Sequence, residues 1–377
     1  MTFLLIVLLA VAAIAIRYLL KKPSAGAGPA KSLAAPPADL HTRAQAPAPA
    51  ATPVAAAPAL PAEIPTELAG WRFIDRDELA EERRWALQAE LRNIPRPPLS
   101  LHKLLSPELL DSATSVEIND LILGEALIAA KVLARVNSPF YGLRRPVLSI
   151  GQAVTFLGLN AVRSISLQYL LDQSFQASSP EHKKVFDTVL SASALAGELC
   201  LKLAQRLDWP EQGSLVTQVV LSFLGQLATA SLMPAERSVW IAENGLLERA
   251  RAEQAQLGLA AGEIGSLLMQ EWGLPGSLIE QVREIDRVLL TPPALTAPQR
   301  RSRLALCYLC ARLGERLALG SLSDLCAFDP AADSSAELFY LRSYLVLPEL
   351  ARLIEFLHAP ELGKSIQQMR LAMRPRG

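Results

Sequence analysis

The sequence has no excess of charge of either sign, because its 37 basic residues balance its 37 acidic residues. A neutral chain has no overall attraction for nucleic acid or anionic lipid, so no nucleic-acid partner is expected. Cysteine is also scarce: the 377 residues include only Cys200, Cys307, Cys310 and Cys326. Four cysteines in helix-like sequence do not suggest a disulfide framework, and reduced thiols in the cytosol are expected.

Motifs for metal, cofactor or covalent chemistry are equally sparse. The Cys307-x-x-Cys310 pair lies inside a predicted helix and has no second pair with which to hold zinc, so we interpret both residues as buried and apolar. No glycine-rich loop carries the lysine of a phosphate-binding motif. The four histidines, His41, His102, His182 and His358, are far apart in the sequence, and His41 lies in the alanine- and proline-rich stretch. We interpret His102 and His182, which lie near predicted helix starts, as cap or solvent-facing residues. No cofactor is predicted.

The first 22 residues predict a membrane anchor. The apolar run from Phe3 to Leu20, interrupted only by Arg17, would span about 27 Å as a helix, close to the thickness of the hydrocarbon core. A cleaved signal peptide is the alternative, but it would carry positive charge before the apolar run. Here the charges follow the run, as Arg17, Lys21 and Lys22, which predicts a single-pass protein with its remaining chain in the cytoplasm.

Residues 23–65 are dominated by alanine and proline, which predicts a disordered linker. Residues 66–92 predict an amphipathic helix that opens with a capping box of Asp75 and Glu78. The apolar side of this helix carries Leu79, Trp85, Leu87 and Leu91.

Beyond residue 92 almost every segment carries helix start and stop signals, whereas strand-like alternation is nearly absent. Thr114 with Glu117 and Ser149 with Gln152 are two further capping boxes, and Ser106 precedes a proline at a first helical position. No repeat of 20–50 residues is visible. The sequence therefore predicts an all-α fold, a compact bundle of many short helices.

One connection, "VNSPFYGLRRPVLSIGQAVTFLGLN" from Val136 to Asn160, carries many specific residues. We expect Asn137 to end the preceding helix in a left-handed conformation, and Ser149 to cap the next helix. Phe140 and Tyr141 are expected to pack over the core. The residues of this signature loop are Asn137, Ser138, Phe140, Tyr141, Gly142, Pro146 and Gly158.

This stretch resembles the HDOD domain, an all-helical bacterial relative of the metal-dependent HD phosphohydrolases. A second block, "GEIGSLLMQEWGLPGSLIEQV" from Gly262 to Val282, is similar to a family segment in which a Trp-Gly-Leu-Pro step joins two helices. That step is Trp272, Gly273, Leu274 and Pro275. The resemblance covers residues 93–290 and leaves residues 291–377 as a C-terminal helical extension. Leu341, Leu345 and Leu347 of the extension suit either the core or a dimer surface.

The resemblance also says where metal ligands would lie. In "VLSFLGQLA" the His-Asp positions of the family are occupied by Ser222 and Phe223. The histidine expected at the start of the second block is Ala261, and the late histidine pair falls near Ile285 and Asp286. Because every expected histidine is replaced, the resemblance implies a non-catalytic protein without a metal site.

A retained fold without catalytic residues implies a regulatory or scaffolding module. The hypothesis is a signalling protein of the bacterial inner membrane that binds an unknown protein partner, with a homodimer as a further possibility. The alternative is a receptor for a small anion such as a cyclic dinucleotide, held by Arg144, Arg145 and Arg163, unless these are exposed or ion-paired side chains. A metal-dependent phosphohydrolase is the third and least favoured hypothesis.

Overall fold

The structure is a computed structural model that describes residues 63–97, 103–106, 114–123 and 125–373. Within these residues all regular secondary structure is helical, which confirms the all-α prediction. The predicted anchor and nearly all of the predicted linker lie outside the described residues. The α-helices are, in chain order, α1 (Glu81–Leu91), α2 (Ser115–Leu123), α3 (Ala126–Val136), α4 (Ile150–Leu157), α5 (Leu159–Ser174), α6 (Pro180–Arg206), α7 (Gln212–Ser222), α8 (Leu224–Leu232), α9 (Ala235–Glu243), α10 (Leu246–Leu257), α11 (Ala261–Glu271), α12 (Gly276–Arg283), α13 (Pro298–Leu319), α14 (Phe339–Leu345), α15 (Leu353–Leu357) and α16 (Pro360–Met373).

Two of the predicted capping motifs start helices as expected. The Thr114 N–H donates to the Glu117 carboxylate at 2.8 Å ahead of α2. Ser149 accepts a hydrogen bond from the Gln152 N–H at 3.2 Å at the start of α4. Each bond satisfies a backbone donor that has no partner inside its own helix.

The helix predicted for residues 66–92 is shorter than expected. Asp75 and Glu78 do form a capping box, but it closes only one 3-10 turn. Leu79 then adopts an extended backbone (φ −71°, ψ 133°), so α1 begins only at Glu81. Trp85, placed on the apolar side by its spacing, is instead 66% exposed. The capping box does not start α1, because its hydrogen bonds satisfy backbone N–H groups of the 3-10 turn Arg76–Glu78 and not those of α1.

The two longest helices, α6 and α13, pack along each other at the centre of the molecule. Around them a large core of buried apolar side chains extends from Leu68 to Met369, and a small separate cluster is formed by Met233, Ile241 and Ala252. Among the described residues one helical stretch, Gln212–Leu232, is long and apolar enough to cross a membrane, and 83% of its most apolar window is buried within the protein. These residues form α7 and α8 and pack against α6 and α11.

The C-terminal helices belong to the same core. Leu341 in α14 is fully buried, and Tyr344 in the same helix bonds to Thr296 at 2.6 Å. Leu347 is 9% exposed, so it and Leu341 belong to the core and not to a dimer surface. Cys307 and Cys310 are fully buried in α13, which confirms their interpretation as apolar residues.

Candidate functional site

The positions at which the family resemblance would place metal ligands lie near the crossing of α8 and α11. Ser222, the last residue of α7, donates its hydroxyl to the Val219 carbonyl at 2.7 Å. Phe223, between α7 and α8, is 1% exposed, and Ala261 is the first residue of α11. None of these three side chains supplies the imidazole or carboxylate that a catalytic metal requires.

Charged side chains converge beside these positions. We define the buried charge cluster as Arg249 and Glu253 of α10, Asp286, and Arg312 and Glu315 of α13. All five residues are at least nine-tenths buried. Such burial of charge is costly unless the charges are paired.

Ion pairs and hydrogen bonds connect the members of the cluster. Arg312 lies 3.2 Å from the Asp286 carboxylate and 2.9 Å from that of Glu315. Arg249 reaches the other Glu315 oxygen at 2.9 Å. Gln226 of α8 donates its side-chain amide to the same Glu315 oxygen at 2.6 Å. Helices α8, α10 and α13 are therefore joined through one carboxylate.

The cluster holds two guanidinium groups for three carboxylates, and the carboxylates respond differently. Burial alone would raise the pKa of Glu315, but Arg249 and Arg312 together hold it below its usual value. Glu253 is 3.9 Å from Arg249, and burial raises its pKa to about 7 even though it accepts the Ala261 N–H at 2.7 Å. Glu253 therefore gains a proton near neutral pH, whereas Glu315 stays ionised.

These contacts put the cluster at the site that the resemblance assigns to metal. Asp286 is itself one of the predicted ligand positions, and burial raises its pKa. Ala261, another such position, is hydrogen-bonded to Glu253 through its backbone. The residues do not fit a catalytic metal, because Asp286 and Glu315 are already paired with the guanidinium groups of Arg249 and Arg312, whose positive charge repels a cation. Within the described residues no group of three or more His, Cys, Asp or Glu side chains is arranged to hold a metal ion.

Sequence analysis did not identify Arg249, Glu253, Arg312 or Glu315 as site residues. A signal was present, since Arg312 and Glu315 stand three apart in the largely apolar helix "RLALCYLCARLGERLAL". Residues three apart share a helix face, so a charged pair surrounded by leucine and cysteine indicates buried ionic contact. The pairing of this helix with α10 had no visible signal, because Arg249 and Glu315 are 66 positions apart in the sequence.

The signature loop is organised by Asn137, whose predicted left-handed conformation is wrong (φ −84°, ψ 2°). Asn137 ends α3 through its side chain instead. The amide group donates to the carbonyls of Leu133 and Val147 at 2.9 and 2.8 Å, and its oxygen accepts the Val147 N–H at 2.7 Å. Because the side chain satisfies backbone groups at both ends of the loop, no left-handed residue is needed at this position.

The rest of the loop is partly buried. Phe140 and Tyr141 lie edge to face at 4.5 Å, and Phe140 packs against the core as expected. Burial raises the pKa of the Tyr141 hydroxyl to about 12. The chain turns at Gly142 with φ 57°, a conformation that favours glycine. Ser138 precedes the 3-10 turn that contains both aromatic residues.

The end of the loop is more open. Pro146 is exposed, and Gly158 ends α4 with φ 82°, donating its N–H to Val154 at 2.9 Å. Ser149 caps α4 between them. Gly158 therefore ends α4, the helix that Ser149 begins.

The three arginines of the predicted anion site lie in different surroundings. Arg144 and Arg145 are exposed in the signature loop, whereas Arg163 is 2% exposed within α5. The guanidinium of Arg163 lies against Gly213 of α7 and 3.3 Å from the Asn160 side-chain oxygen. Arg163 is therefore buried, whereas Arg144 and Arg145 face solvent.

The second family block joins α11 to α12 as predicted. Trp272 is 2% exposed and ends α11, and Gly273 has φ 75°. Leu274 is buried, and Pro275 immediately precedes α12. The block therefore joins the two helices through a step in which Trp272 and Leu274 are buried and Gly273 makes the turn.

Three solved structures share this fold at low sequence identity. An HDOD domain protein of unknown function from Geobacter sulfurreducens is 19% identical with a TM-score of 0.56, covering 78% of this chain and 98% of its own. A protein provisionally named a signal transduction protein, from Marinobacter aquaeolei, is 18% identical with a TM-score of 0.54, covering 80% and 69%. A provisionally named phosphohydrolase from Shewanella amazonensis is 18% identical with a TM-score of 0.50, covering 76% and 98%.

No curated protein matches the chain. The sequence model of the HDOD domain matches residues 94–288, which are 195 of the 377 residues. The matched range contains both blocks that resemble the family, from the signature loop to the Trp-Gly-Leu-Pro step. The chain therefore belongs to the HDOD domain family.

Proposed function

We propose that this chain is a signalling or scaffolding protein, tethered to the bacterial inner membrane, whose HDOD domain acts by binding another protein and not by catalysis. The observation that carries the proposal is the buried charge cluster. At the site where a catalytic relative would need imidazole ligands and open space for substrate, Arg249 and Arg312 pair with Glu315 and Asp286. A hydrolase of this kind needs a bound metal that generates hydroxide and contacts the phosphate of the substrate. Arginine–carboxylate pairs at this site therefore support a non-catalytic role.

The membrane tether rests on the sequence alone. The apolar run of residues 3–20 followed by basic residues supports an anchor, and the alanine- and proline-rich linker would give the folded domain reach within the cytoplasm. A tether of this kind raises the local concentration of the domain at the bilayer, which suits the recruitment of a partner.

The absence of catalysis can be tested on the purified full-length chain. We expect metal analysis to find far less than one equivalent of transition metal. We also expect no hydrolysis of bis(p-nitrophenyl) phosphate above background when Mn²⁺ is added. Stoichiometric metal, or turnover that follows the protein through size-exclusion chromatography, would contradict the non-catalytic part of the proposal.

The partner can be sought by affinity capture of the full-length chain from detergent-solubilised cells. A chain lacking residues 93–290 serves as the comparison. A protein enriched with the full chain and absent from the shortened chain is the expected result. Equal enrichment with both chains would contradict a binding role for the HDOD domain.

The exposed arginines of the signature loop favour a second candidate, a receptor for a small anion such as a cyclic dinucleotide. Arg144 and Arg145 are adjacent and solvent-facing, although Arg163 is not available beside them. Titration calorimetry of the full-length chain with a cyclic dinucleotide tests this candidate. Saturable heat that disappears in Arg144→Ala/Arg145→Ala would support it, and the absence of heat would remove it.

A further inference from the structure

A long groove runs along one face of α6, and its α13 wall begins at Leu317, two residues after Glu315 of the buried charge cluster. Among the described residues, no other helix fully covers the successive turns of α6 that line this groove. Its lining residues on α6 recur every three or four positions and therefore share one helix face: Pro180, Lys183, Lys184, Asp187, Thr188, Leu190, Ser191, Ala194 and Leu195. The uncovered face spans four turns of the helix.

The dimensions of the groove match those of a short helix. From Pro180 to Leu195 the axis of α6 advances by about 23 Å, the length of a helix of about 15 residues. The groove encloses about 1190 Å³. One wall is made by α3 and α5, and the other by the end of α13 and by α16. An elongated trough between two helical walls is the geometry in which an amphipathic helix is bound.

The floor of the groove is apolar. Leu190 and Leu195 of α6 line it together with Ile165 of α5, Leu317 of α13 and Met373 of α16. Leu190 and Ile165 are only partly buried, so they still expose apolar surface. Covering such surface favours association, since burial of apolar area is the main attractive contribution in most interfaces.

Basic side chains surround this floor. The basic lining residues are Lys131 and Arg135 of α3, Lys183 and Lys184 of α6, and Arg370 of α16. The acidic lining residues are Asp172 and Asp187. The lining side chains carry five positive and two negative charges, and with Glu243 beside Lys184 counted the local excess is two positive charges on a chain whose total charge is zero.

Some of these charges already have partners. Lys183 lies 2.9 Å from Asp187, and Lys184 lies 3.3 Å from Glu243. Both pairs are solvent-exposed, so they are weak and can be exchanged for an incoming carboxylate. Lys131 stacks over the Tyr169 ring at 5.4 Å and is also exposed.

We infer that this groove binds an acidic amphipathic helix of the partner protein, with the apolar face of the helix on the groove floor and its carboxylates at the basic rim. The inference rests on the proposed function and names the class of partner. The basic groups are spread along two walls and do not converge on one point, which suits carboxylates distributed along a helix better than one compact anion.

The first test uses two labelled 16-residue peptides with the same leucine face, one with glutamate and one with lysine on its polar face. Binding is measured by fluorescence anisotropy to the full-length chain in nanodiscs of neutral phospholipid. The glutamate peptide is expected to bind at least about tenfold more tightly than the lysine peptide, and to weaken as salt is raised. Equal affinity for both peptides would overturn the inference.

Matched variants locate the binding site. Lys131→Glu/Lys184→Glu reverses two exposed rim charges and should weaken the glutamate peptide by about tenfold or more. Lys103→Glu/Lys364→Glu makes the same change in charge at two exposed lysines outside the groove, and should stay within about twofold of the parent chain. An equal loss in both variants would place the peptide elsewhere, and helical circular dichroism confirms that each variant is folded.

A third arm separates this inference from the proposed function. If Lys131→Glu/Lys184→Glu captures the same partner from cells as the parent chain does, the groove inference fails and the binding role stands. If the parent chain captures no partner that depends on residues 93–290, the proposed function fails. Displacement of the peptide by a cyclic dinucleotide, with saturable nucleotide binding lost in the same variant, would assign the groove to a small anion and overturn the inference.

Discussion

At the scale of single residues, Arg312 is the centre of the buried charge cluster. Its guanidinium neutralises Asp286 and Glu315 while being 2% exposed itself. The pair partners are on different elements, so this one side chain connects the 3-10 turn after α12 to α13. Removal of one partner from a buried pair leaves an uncompensated charge, which is far more costly than the loss of an exposed pair.

Arg312→Met is therefore expected to lower the free energy of unfolding by about 3–5 kcal/mol, measured by guanidinium chloride titration followed by circular dichroism. Methionine keeps much of the volume of the side chain, so the cost comes from Asp286 and Glu315. Arg352→Met is the control, because Arg352 pairs with Glu355 at the surface, where both side chains are 65% exposed. That change should cost less than about 1 kcal/mol. Similar losses in the two variants would contradict a structural role for the cluster.

Glu253 should make stability depend on pH near neutrality. Its pKa in the folded protein is about 7, raised mainly by burial, so the folded state binds a proton more tightly than the unfolded state does. Raising the pH from about 4.5 through 7 should then reduce the free energy of unfolding, by on the order of 3 kcal/mol in total. Above that range the contribution of Glu253 is constant.

Glu253→Gln removes the titrating group and keeps an oxygen that can accept the Ala261 N–H. The loss of stability between pH 5 and pH 8 should be smaller in this variant than in the parent chain, measured by denaturant titration at both values. Glu355→Gln, at the exposed end of the Arg352 pair, is the control and should follow the parent chain. If Glu253→Gln keeps the full dependence of the parent chain, Glu253 is not the group that titrates.

At the scale of helices, the crossing of α8 and α11 depends on a glycine. A Cβ atom at Gly225 would lie 1.9 Å from the Ala261 carbonyl oxygen and 2.5 Å from its carbon, both of which are backbone atoms. Neither atom can move without shifting the start of α11. The close approach also brings Ala261 within reach of Glu253.

Gly225→Ala is expected to lower the melting temperature by several degrees, because the two helices must separate and lose packing, at a cost of about 1–3 kcal/mol. Gly276→Ala is the control, since a Cβ there would meet no atom within 4 Å and the residue opens α12. The control should be neutral or slightly stabilising. A melting temperature unchanged by Gly225→Ala would contradict the close crossing.

At the scale of the whole molecule, the C-terminal helices complete the core of the HDOD domain. Helix α13 packs along α6 and contributes both Arg312 and Glu315 to the charge cluster. Helix α13, with Arg312 and Glu315, lies beyond residue 288, where the family match ends. The family range therefore does not contain all the residues that its own buried charges require.

A chain that ends at Leu290 is accordingly expected to lose cooperative unfolding, because one long face of α6 loses α13, Asp286 loses Arg312, and Arg249 loses Glu315. Thermal unfolding followed by circular dichroism would measure this, with a chain ending at Met373 as the control. The control removes only residues 374–377 and should melt as the parent does. Cooperative melting of the shorter chain at the parent temperature would show that residues 94–290 form a self-sufficient core.

The sequence predicts local features of the fold, such as helix starts, better than contacts between residues that are far apart in the chain. The helix starts at Thr114 and Ser149 were predictable, because a cap and its partner lie three residues apart. The conformation of Asn137 was not, since its side chain reaches Val147 across the loop and takes over the bonds that a left-handed turn would have made. The burial of Arg163 was not predictable either, because its guanidinium lies against Gly213 of α7, 50 positions further along the chain.

The sequence by itself determined the helical class, several helix ends and the family, because periodicity, capping and the two family blocks are local patterns. The resemblance also implied that the ligand positions had lost their histidines. Only the tertiary structure decided what replaced them: Arg249 and Arg312 enter the site from α10 and α13, and the uncovered face of α6 becomes a groove. Both results depend on contacts between helices far apart in the chain, and the pairing of helix faces has no signature within either helix alone.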